Sequence, residues 1–305
     1  MSNQLVTVNN PDLSAIKALV TNGLNSDYSR VMYAKALDDF LNWYQSQGIP
    51  GLNKSTIQAY KTHLQTLNYA PATINQKLTA VRRLAVEAGD NGLIDQSLLT
   101  GISRVKGVRL EGVRTGNWLT LKQSQELINT PDLKTLKGLR DRAVLAVMLG
   151  AGLRRSEIAN LTVGHIQQRE SRWVIVDLIG KGGRVRSIPI PAWAKQAIDD
   201  WTITANITSG HVFRSITKGG KVAGDTMTSQ GIQNLVKLYA KKCGYSVSAH
   251  DLRRTYAKLA HKGGAELEQI QLSLGHASIQ TTERYLGVKQ DLSSAPCDVI
   301  KLHLQ

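Results

Sequence analysis

Two short stretches of the chain place a basic side chain three residues from a partner that could act with it. Arg154 and Glu157 lie at the start of a predicted helix, so they share one face. His250 and Arg253 repeat the spacing further along the chain. An arginine offers a permanent charge and bidentate hydrogen bonds, and a histidine donates or accepts near neutral pH. These residue types suit the binding of a phosphate.

A histidine and a tyrosine follow, nine positions apart, at His276 and Tyr285. A tyrosine is a poor nucleophile because its reference pKa is about 10, so positive charge must favour the phenolate or a base must accept its proton. Fixed cations also lower the barrier for attack on a phosphodiester. Residues of these types together suit the chemistry of phosphoryl transfer to a tyrosine. Taken alone, each pair is also typical of a helical ion pair, and Tyr285 of a buried aromatic near a terminal helix.

Helical patterns dominate the elements that must position these residues. In the first half of the chain, apolar residues recur every three or four positions over 33–44, 55–67 and 72–88. In the second half, two strands over 173–179 and 185–190 flank a glycine-rich turn and predict a hairpin. Further helical patterns cover 120–127, 139–149, 192–201, 229–242, 250–262 and 267–274. The expected fold class is mainly α with a small antiparallel β-sheet.

A change in composition divides the chain into two predicted domains. The stretch 101–116 is rich in Gly, Arg, Lys and Val and has no regular period, which is typical of an exposed basic linker. We therefore expect a helical domain over 1–107, a linker over 108–117 and an α+β domain over 118–305.

The overall charge favours a polyanionic partner. The 305 residues include 38 Lys and Arg against 23 Asp and Glu, a formal charge of +15, so nucleic acid is the leading candidate. On the helix 72–88, four outward positions could meet phosphates or base edges, or form a solvated basic face. They are Asn75, Lys77, Arg82 and Arg83.

The sequence also bounds the location and the cofactors. It has no long apolar run, signal peptide or lipidation signal, so we expect a cytoplasmic protein without a membrane partner. Cys243 and Cys297 lack the spacing of a zinc site, and we expect reduced thiols and no metal. Gly180-Lys181-Gly182-Gly183 lacks the spacing of a phosphate-binding nucleotide loop, so no cofactor is expected.

Taken in order along the chain, the motifs resemble those of the tyrosine recombinases, in particular the Xer-like recombinases and phage-type integrases. The match covers about 119–285, and the order of the motifs is more specific than any one of them. A looser match at 72–78 resembles the core-binding domain of the same family. The matching motifs are Gly-Leu-Arg-x-Ser-Glu at Arg154, Gly-Lys-Gly at Lys181, His-x-Leu-Arg at His250, Leu-Gly-His at His276, and Tyr285.

The resemblance implies a role for each matched residue around the phosphate. Arg154 and Arg253 would clamp the scissile phosphate, and His276 would be a further donor to it. Glu157 would orient the neighbouring site residues without contacting the phosphate, and Tyr285 would attack the phosphorus.

Two matched residues would handle protons. Lys181, in the hairpin turn, would be the general acid that protonates the leaving 5′ hydroxyl. Arg184 and Arg186 flank it in the same hairpin and are the alternatives for that position. His250 would assist proton transfer or donate a hydrogen bond to the phosphate.

The implied reaction is site-specific DNA recombination through a 3′-phosphotyrosyl intermediate and a Holliday junction. The implied partners are double-stranded DNA sites, bound by a homotetramer. The C-terminal tail over 288–305 has apolar residues but is too short to form its own core, so we expect it to dock on a neighbouring protomer. Two alternatives remain: an enzyme of the type IB topoisomerase kind that nicks and relaxes DNA, and a catalytically inert DNA-binding accessory protein.

Overall fold

A computed structural model describes residues 13–48, 51–109, 117–180 and 183–286. The chain divides into two compact units, Met1–Val113 and Arg114–Gln305. Among the described residues, none of the helices combines the length and apolarity that crossing a membrane would require.

The first unit is helical over its described residues. Side-chain caps begin two of its helices: Ser26 accepts a hydrogen bond from the amide of Ser29, and Asn53 from that of Thr56. The predicted apolar faces meet in one core, in which Leu37, for example, has no exposed surface. The helices are α1 (Leu13–Asn22), α2 (Asp27–Ser46), α3 (Lys54–Thr66), α4 (Pro71–Asp90) and α5 (Gln96–Ser103).

Lys77 does not face outward on α4, and that prediction was wrong. Its residue is only 6% exposed, and its ammonium forms an ion pair with Asp39 and lies 5.3 Å from the centre of the Tyr69 ring. A lysine can bury its aliphatic stem when its charged end finds a partner, which an apolar-period count does not reveal.

The other three donors predicted on α4 are partly buried and make contacts inside the unit. Asn75 donates to the carbonyl of Val108 (2.9 Å) and accepts from its amide (2.8 Å). Arg82 donates to the carbonyl of Val105, and Arg83 approaches a carbonyl beyond α1 at 3.4 Å. These side chains attach the segment after α5 and the turn before α2 to the core. A DNA-binding role for the four residues stays a prediction.

The second unit surrounds a central helix, α7. Residues 143–148 of this helix have no exposed surface, as expected of a helix that is apolar on every side. The described helices are α6 (Leu121–Asn129), α7 (Leu136–Ala151), α8 (Arg155–Ala159), α9 (Ala192–Thr204), α10 (Ser229–Lys242), α11 (Ala249–Lys262), α12 (Leu267–Leu274) and α13 (Ile279–Leu286).

Two small antiparallel sheets complete the described part of this unit. The first has the order β1-β2-β3, from Ile166–Arg169, Arg172–Ile179 and Val185–Pro189, and contains the predicted hairpin. The second pairs β4 (Ser215–Ile216) with β5 (Val222–Ala223). The sequence patterns did not predict β1, β4 or β5. The fold class, mainly helical with small antiparallel sheets, is confirmed.

Several predicted features lie outside the described residues. They are Lys181, most of the basic linker, Cys297 and the C-terminal tail. Cys243 lies within them and carries a free thiol.

Candidate active site

The end of α7 delivers Arg154 to the site. Gly152 ends this helix in the left-handed conformation, with φ of 61°, and the chain is extended at Arg154 before α8 begins. A Cβ at Gly152 would lie 2.4 Å from the ring of Tyr256, so only glycine fits this approach. Glu157 then accepts hydrogen bonds from the backbone amide of Arg154 (2.8 Å) and from its Nη1 (2.8 Å). The predicted pair therefore forms, and it fixes the arginine at the start of the helix.

Glu157 is the centre of a cluster of guanidinium groups. Its side chain is 3% exposed, and Arg186 donates to both of its carboxylate oxygens at 3.0 and 2.8 Å. Arg253 lies 3.8 Å away. Burial alone would raise the pKa of Glu157, but the hydrogen bonds from Arg186 and Arg154 and the charge of Arg186 hold it below its usual value. The carboxylate is therefore ionised and neutralises part of the cluster.

Arg253 is the deeply buried cation of the site. Its Nη1 donates to the carbonyl of Gly152 (2.6 Å), and its Nη2 donates to that of Leu274. Burial, followed by the charge of Arg154, lowers its pKa to about 10, so it stays protonated at neutral pH. Two of its five donors are engaged in these contacts.

His276 is held at the tight turn between α12 and α13. Gly275 takes the left-handed conformation (φ 59°) that ends α12, and the Nδ1 of His276 lies 3.0 Å from the hydroxyl of the buried Thr282. Burial and the charges of Arg253 and Arg154 lower the pKa of His276 to about 4. The imidazole is therefore neutral at physiological pH, and its second nitrogen is available to a ligand.

Tyr285 lies between the two predicted histidines. Its ring centre is 5.3 Å from that of His250 and 5.3 Å from that of His276, edge-on to both. Its hydroxyl donates to the backbone carbonyl of His250 at 3.1 Å. Burial raises the pKa of Tyr285 to about 12, although the charges of Arg253 and Arg254 act in the opposite direction.

His250 lies in the first turn of α11, the helix that also carries Arg253. Its pKa is lowered by partial desolvation and by the charges of Arg254 and Arg253. The neutral imidazole beside Tyr285 can accept a proton near neutral pH.

The structure thus brings six of the seven predicted site residues together within one unit, while Lys181 lies outside the described residues. The ends of its turn are described: the amide of Gly180 donates to the carbonyl of Arg184 at 2.7 Å. Arg186 is not a candidate for the proton donor, because its guanidinium is engaged with Glu157.

Sequence reasoning missed two contacts at the site. Arg254 was not among the predicted site residues, yet its guanidinium lies 5.0 Å from the centre of the Tyr285 ring. Arg186 was not linked to Glu157, although its alternation with the buried Ile188 places both on the same face of β3. That alternation is the signal that could have identified Arg186 as an inward cation.

These features place a tyrosine among buried cations and histidines, an arrangement that suits phosphoryl transfer, on a mainly helical unit. The phage integrase family matches residues 117–291. A tyrosine recombinase XerC from Myxococcus xanthus is 30% identical over 269 residues, covering 84% of this chain and 85% of the relative. XerD from Shewanella oneidensis is 27% identical over 284 residues, covering 91% and 89%. The chain belongs to the phage integrase family, the tyrosine recombinases, and is a DNA strand-breaking and rejoining enzyme.

Solved structures share the fold at lower identity. A XerH site-specific recombinase bound to a palindromic difH substrate superposes with a TM-score of 0.71 at 17% identity, covering 90% of this chain and 81% of that one. A lambda integrase dimer bound to a COC′ core site gives 0.67 at 16% identity, covering 91% and 95%.

Proposed function

We propose that this enzyme recombines double-stranded DNA at specific sites, with Tyr285 as the nucleophile. The observation that carries the proposal is the position of the Tyr285 ring, 5.3 Å from both His250 and His276 and within the field of Arg253. A phenol in such surroundings can form an ester with a phosphate that the cations hold.

The chemistry is a reversible exchange of phosphate esters. The Tyr285 oxygen attacks the phosphorus and loses its proton, while the bond from phosphorus to the 5′ oxygen breaks and that oxygen gains a proton. Arg154 and Arg253 neutralise the charge that spreads over the phosphate, and His276 donates to it. The phosphotyrosyl ester retains the bond energy, so a 5′ hydroxyl can reverse the reaction and rejoin a strand.

Two residues move the protons. His250, neutral because of its lowered pKa, accepts the phenolic proton or donates a hydrogen bond to the phosphate. Lys181 protonates the leaving 5′ oxygen, which would otherwise depart as a costly alkoxide. Glu157 orients Arg154 without contact to DNA.

The finer proposal concerns assembly. Four copies act on two DNA sites through a Holliday junction, and the tail over 288–305 of each copy docks on a neighbour. Two observations support the docking: the tail contains apolar residues, and the described part of the second unit has a partly apolar cleft of about 230 Å³ that includes Leu121, Leu149 and Trp193 in its lining. Truncation after Leu286 should abolish assembly on DNA in sedimentation experiments; unchanged assembly would contradict it.

A covalent-capture experiment tests the chemistry. The protein is incubated with a pool of nicked duplexes of random sequence, in which cleavage releases a short strand and traps the enzyme. Adducts that survive denaturation are recovered and sequenced. We expect one sequence to be enriched and Tyr285→Phe to form no adduct. An adduct that persists in that variant would exclude Tyr285 as the nucleophile.

Strand exchange separates the two alternatives. A pair of enriched duplexes should yield recombinant strands, whereas an enzyme of the topoisomerase kind would only relax supercoiled DNA. An inert accessory protein would bind DNA without forming any adduct.

A further inference from the structure

We propose that Arg186 is a positioning residue for DNA cleavage, which holds Arg154 and the turn before His276 in their reactive arrangement without touching DNA. This inference rests on the proposed function and assigns a role to a residue outside the matched motifs.

The contacts of Arg186 are all internal. Its Nη1 and Nη2 donate to the two oxygens of Glu157 at 3.0 and 2.8 Å, and its Nε donates to the carbonyl of Ser273 at 3.0 Å. The side chain is 9% exposed. Because the planar fork is engaged on both sides, Arg186 acts as a link between protein segments rather than as a phosphate contact.

The link joins three segments that are distant in sequence. Arg186 lies on β3, Glu157 on α8 and Ser273 in the last turn of α12. The same carboxylate holds the Nη1 of Arg154, so the position of Arg154 depends on where Arg186 holds Glu157. If the guanidinium of Arg186 shifts, the buried Glu157 shifts with it and displaces the guanidinium of Arg154.

Arg186 also binds the C-terminal end of α12. The last carbonyls of a helix lack intrahelical partners and carry partial negative charge. Arg186 satisfies that of Ser273, and Arg253 satisfies that of Leu274. A Cβ at Gly275 would lie 3.1 Å from the Cδ of Arg186, so the side chain packs directly under the residue that precedes His276.

The charge arrangement predicts what happens without Arg186. Glu157 would keep its negative charge but lose two of its four hydrogen bonds, and Arg154 and Arg253 would be drawn toward it. Both guanidinium groups would then be displaced from the phosphate. A misplacement of about 1 Å costs about 100-fold in rate, whereas DNA contacts elsewhere stay intact.

The test measures binding and chemistry separately. The substrates are the enriched nicked duplex and the same duplex with sulfur in place of the bridging 5′ oxygen, which leaves without needing a proton. Wild type, Arg186→Met and Arg186→Lys are compared with Arg172→Met, an exposed arginine of the same sheet. Single-turnover adduct formation, the Kd for DNA and the urea midpoint are measured for each.

We expect Arg186→Met to form adduct about 100-fold more slowly than wild type, and Arg186→Lys about 10-fold more slowly. The Kd of both should stay within about threefold of wild type. Because the defect of the Arg186 variants lies in how the phosphate is held, their slow adduct formation should persist on the sulfur duplex. Lys181→Ala, in contrast, should recover its rate of adduct formation on that duplex. Arg172→Met should match wild type throughout.

Three results would overturn the proposal: an adduct rate for Arg186→Met close to that of wild type, full recovery of this variant on the sulfur duplex, or a loss of DNA affinity as large as the loss of rate. If Arg186→Met does not fold, Arg186→Lys keeps the buried charge and decides the same outcomes. Wild type and Tyr285→Phe report on the proposed function itself, so its failure is seen independently.

Discussion

The glycine that ends α7 offers a sharp test of how the site is built. In Gly152→Ala, the new methyl group would lie 2.4 Å from Cδ1 and 2.9 Å from Cε1 of the Tyr256 ring. The backbone at this position has a φ of 61°, which disfavours any residue with a Cβ. The substitution therefore combines backbone strain with a steric clash in a packed interior.

The two costs can be estimated separately. An L-residue in the left-handed conformation costs about 1–2 kcal/mol. Forcing an extra methyl group into a packed site costs about 1–3 kcal/mol more, because Tyr256 or the helix end must move. The free energy of unfolding should therefore fall by about 2–5 kcal/mol. The carbonyl of Gly152 also accepts from Arg253, so adduct formation should slow as well.

A second glycine provides the control. Gly244 follows α10 with a φ of 75°, and nothing lies within 4 Å of its ideal Cβ, so Gly244→Ala carries the strain without the clash. Urea unfolding should show a loss of about 1–2 kcal/mol for this variant and a larger loss for Gly152→Ala. If the two variants lose equal stability, the steric argument is wrong.

Three further outcomes are expected. Glu157→Gln should lower the free energy of unfolding by about 3–5 kcal/mol, because an amide cannot accept all four hydrogen bonds and leaves buried cations unpaired. The control Glu268→Gln, at an exposed site, should change the free energy of unfolding by less than about 1 kcal/mol. Equal losses in the two variants would refute the claim. The pKa of His276 is lowered to about 4, so its contribution to the free energy of unfolding should be fully present above about pH 6.5 and fall as the pH drops toward 4. In urea titrations at several pH values, His276→Gln should remove about 1–2 kcal/mol of that fall. An unchanged pH profile would contradict the lowered pKa of His276. DNA affinity should fall steeply, by about 1000-fold between about 50 and about 200 mM salt in anisotropy titrations, and weak salt dependence would argue against extensive phosphate contacts.

Local spacing explains which parts of the site the sequence could predict. Arg154 with Glu157, and His250 with Arg253, are three residues apart, and a helix places such pairs together whatever surrounds it. Tyr285 was assigned by the order of motifs, since no local rule brings it to His250, 35 positions away.

The remaining contacts depend on tertiary packing. Arg186 meets Glu157 across 29 residues, and Lys77 meets Asp39 across 38. The periodicity of apolar residues predicts a neutral side chain on the inward face at Arg186 and an exposed side chain at Lys77. Arg254 also meets the site through packing, because α13 packs against α11 and brings the Tyr285 ring to it.

The hydrogen bond from the Tyr285 hydroxyl to the carbonyl of His250 has a consequence for the resting enzyme. A phenol has one hydrogen to donate, and here it goes to a backbone carbonyl, so the hydroxyl cannot at the same time donate to a base. Breaking this hydrogen bond costs about 0.5–1.5 kcal/mol of net stabilisation, which a new hydrogen bond from the hydroxyl to an incoming phosphate can offset.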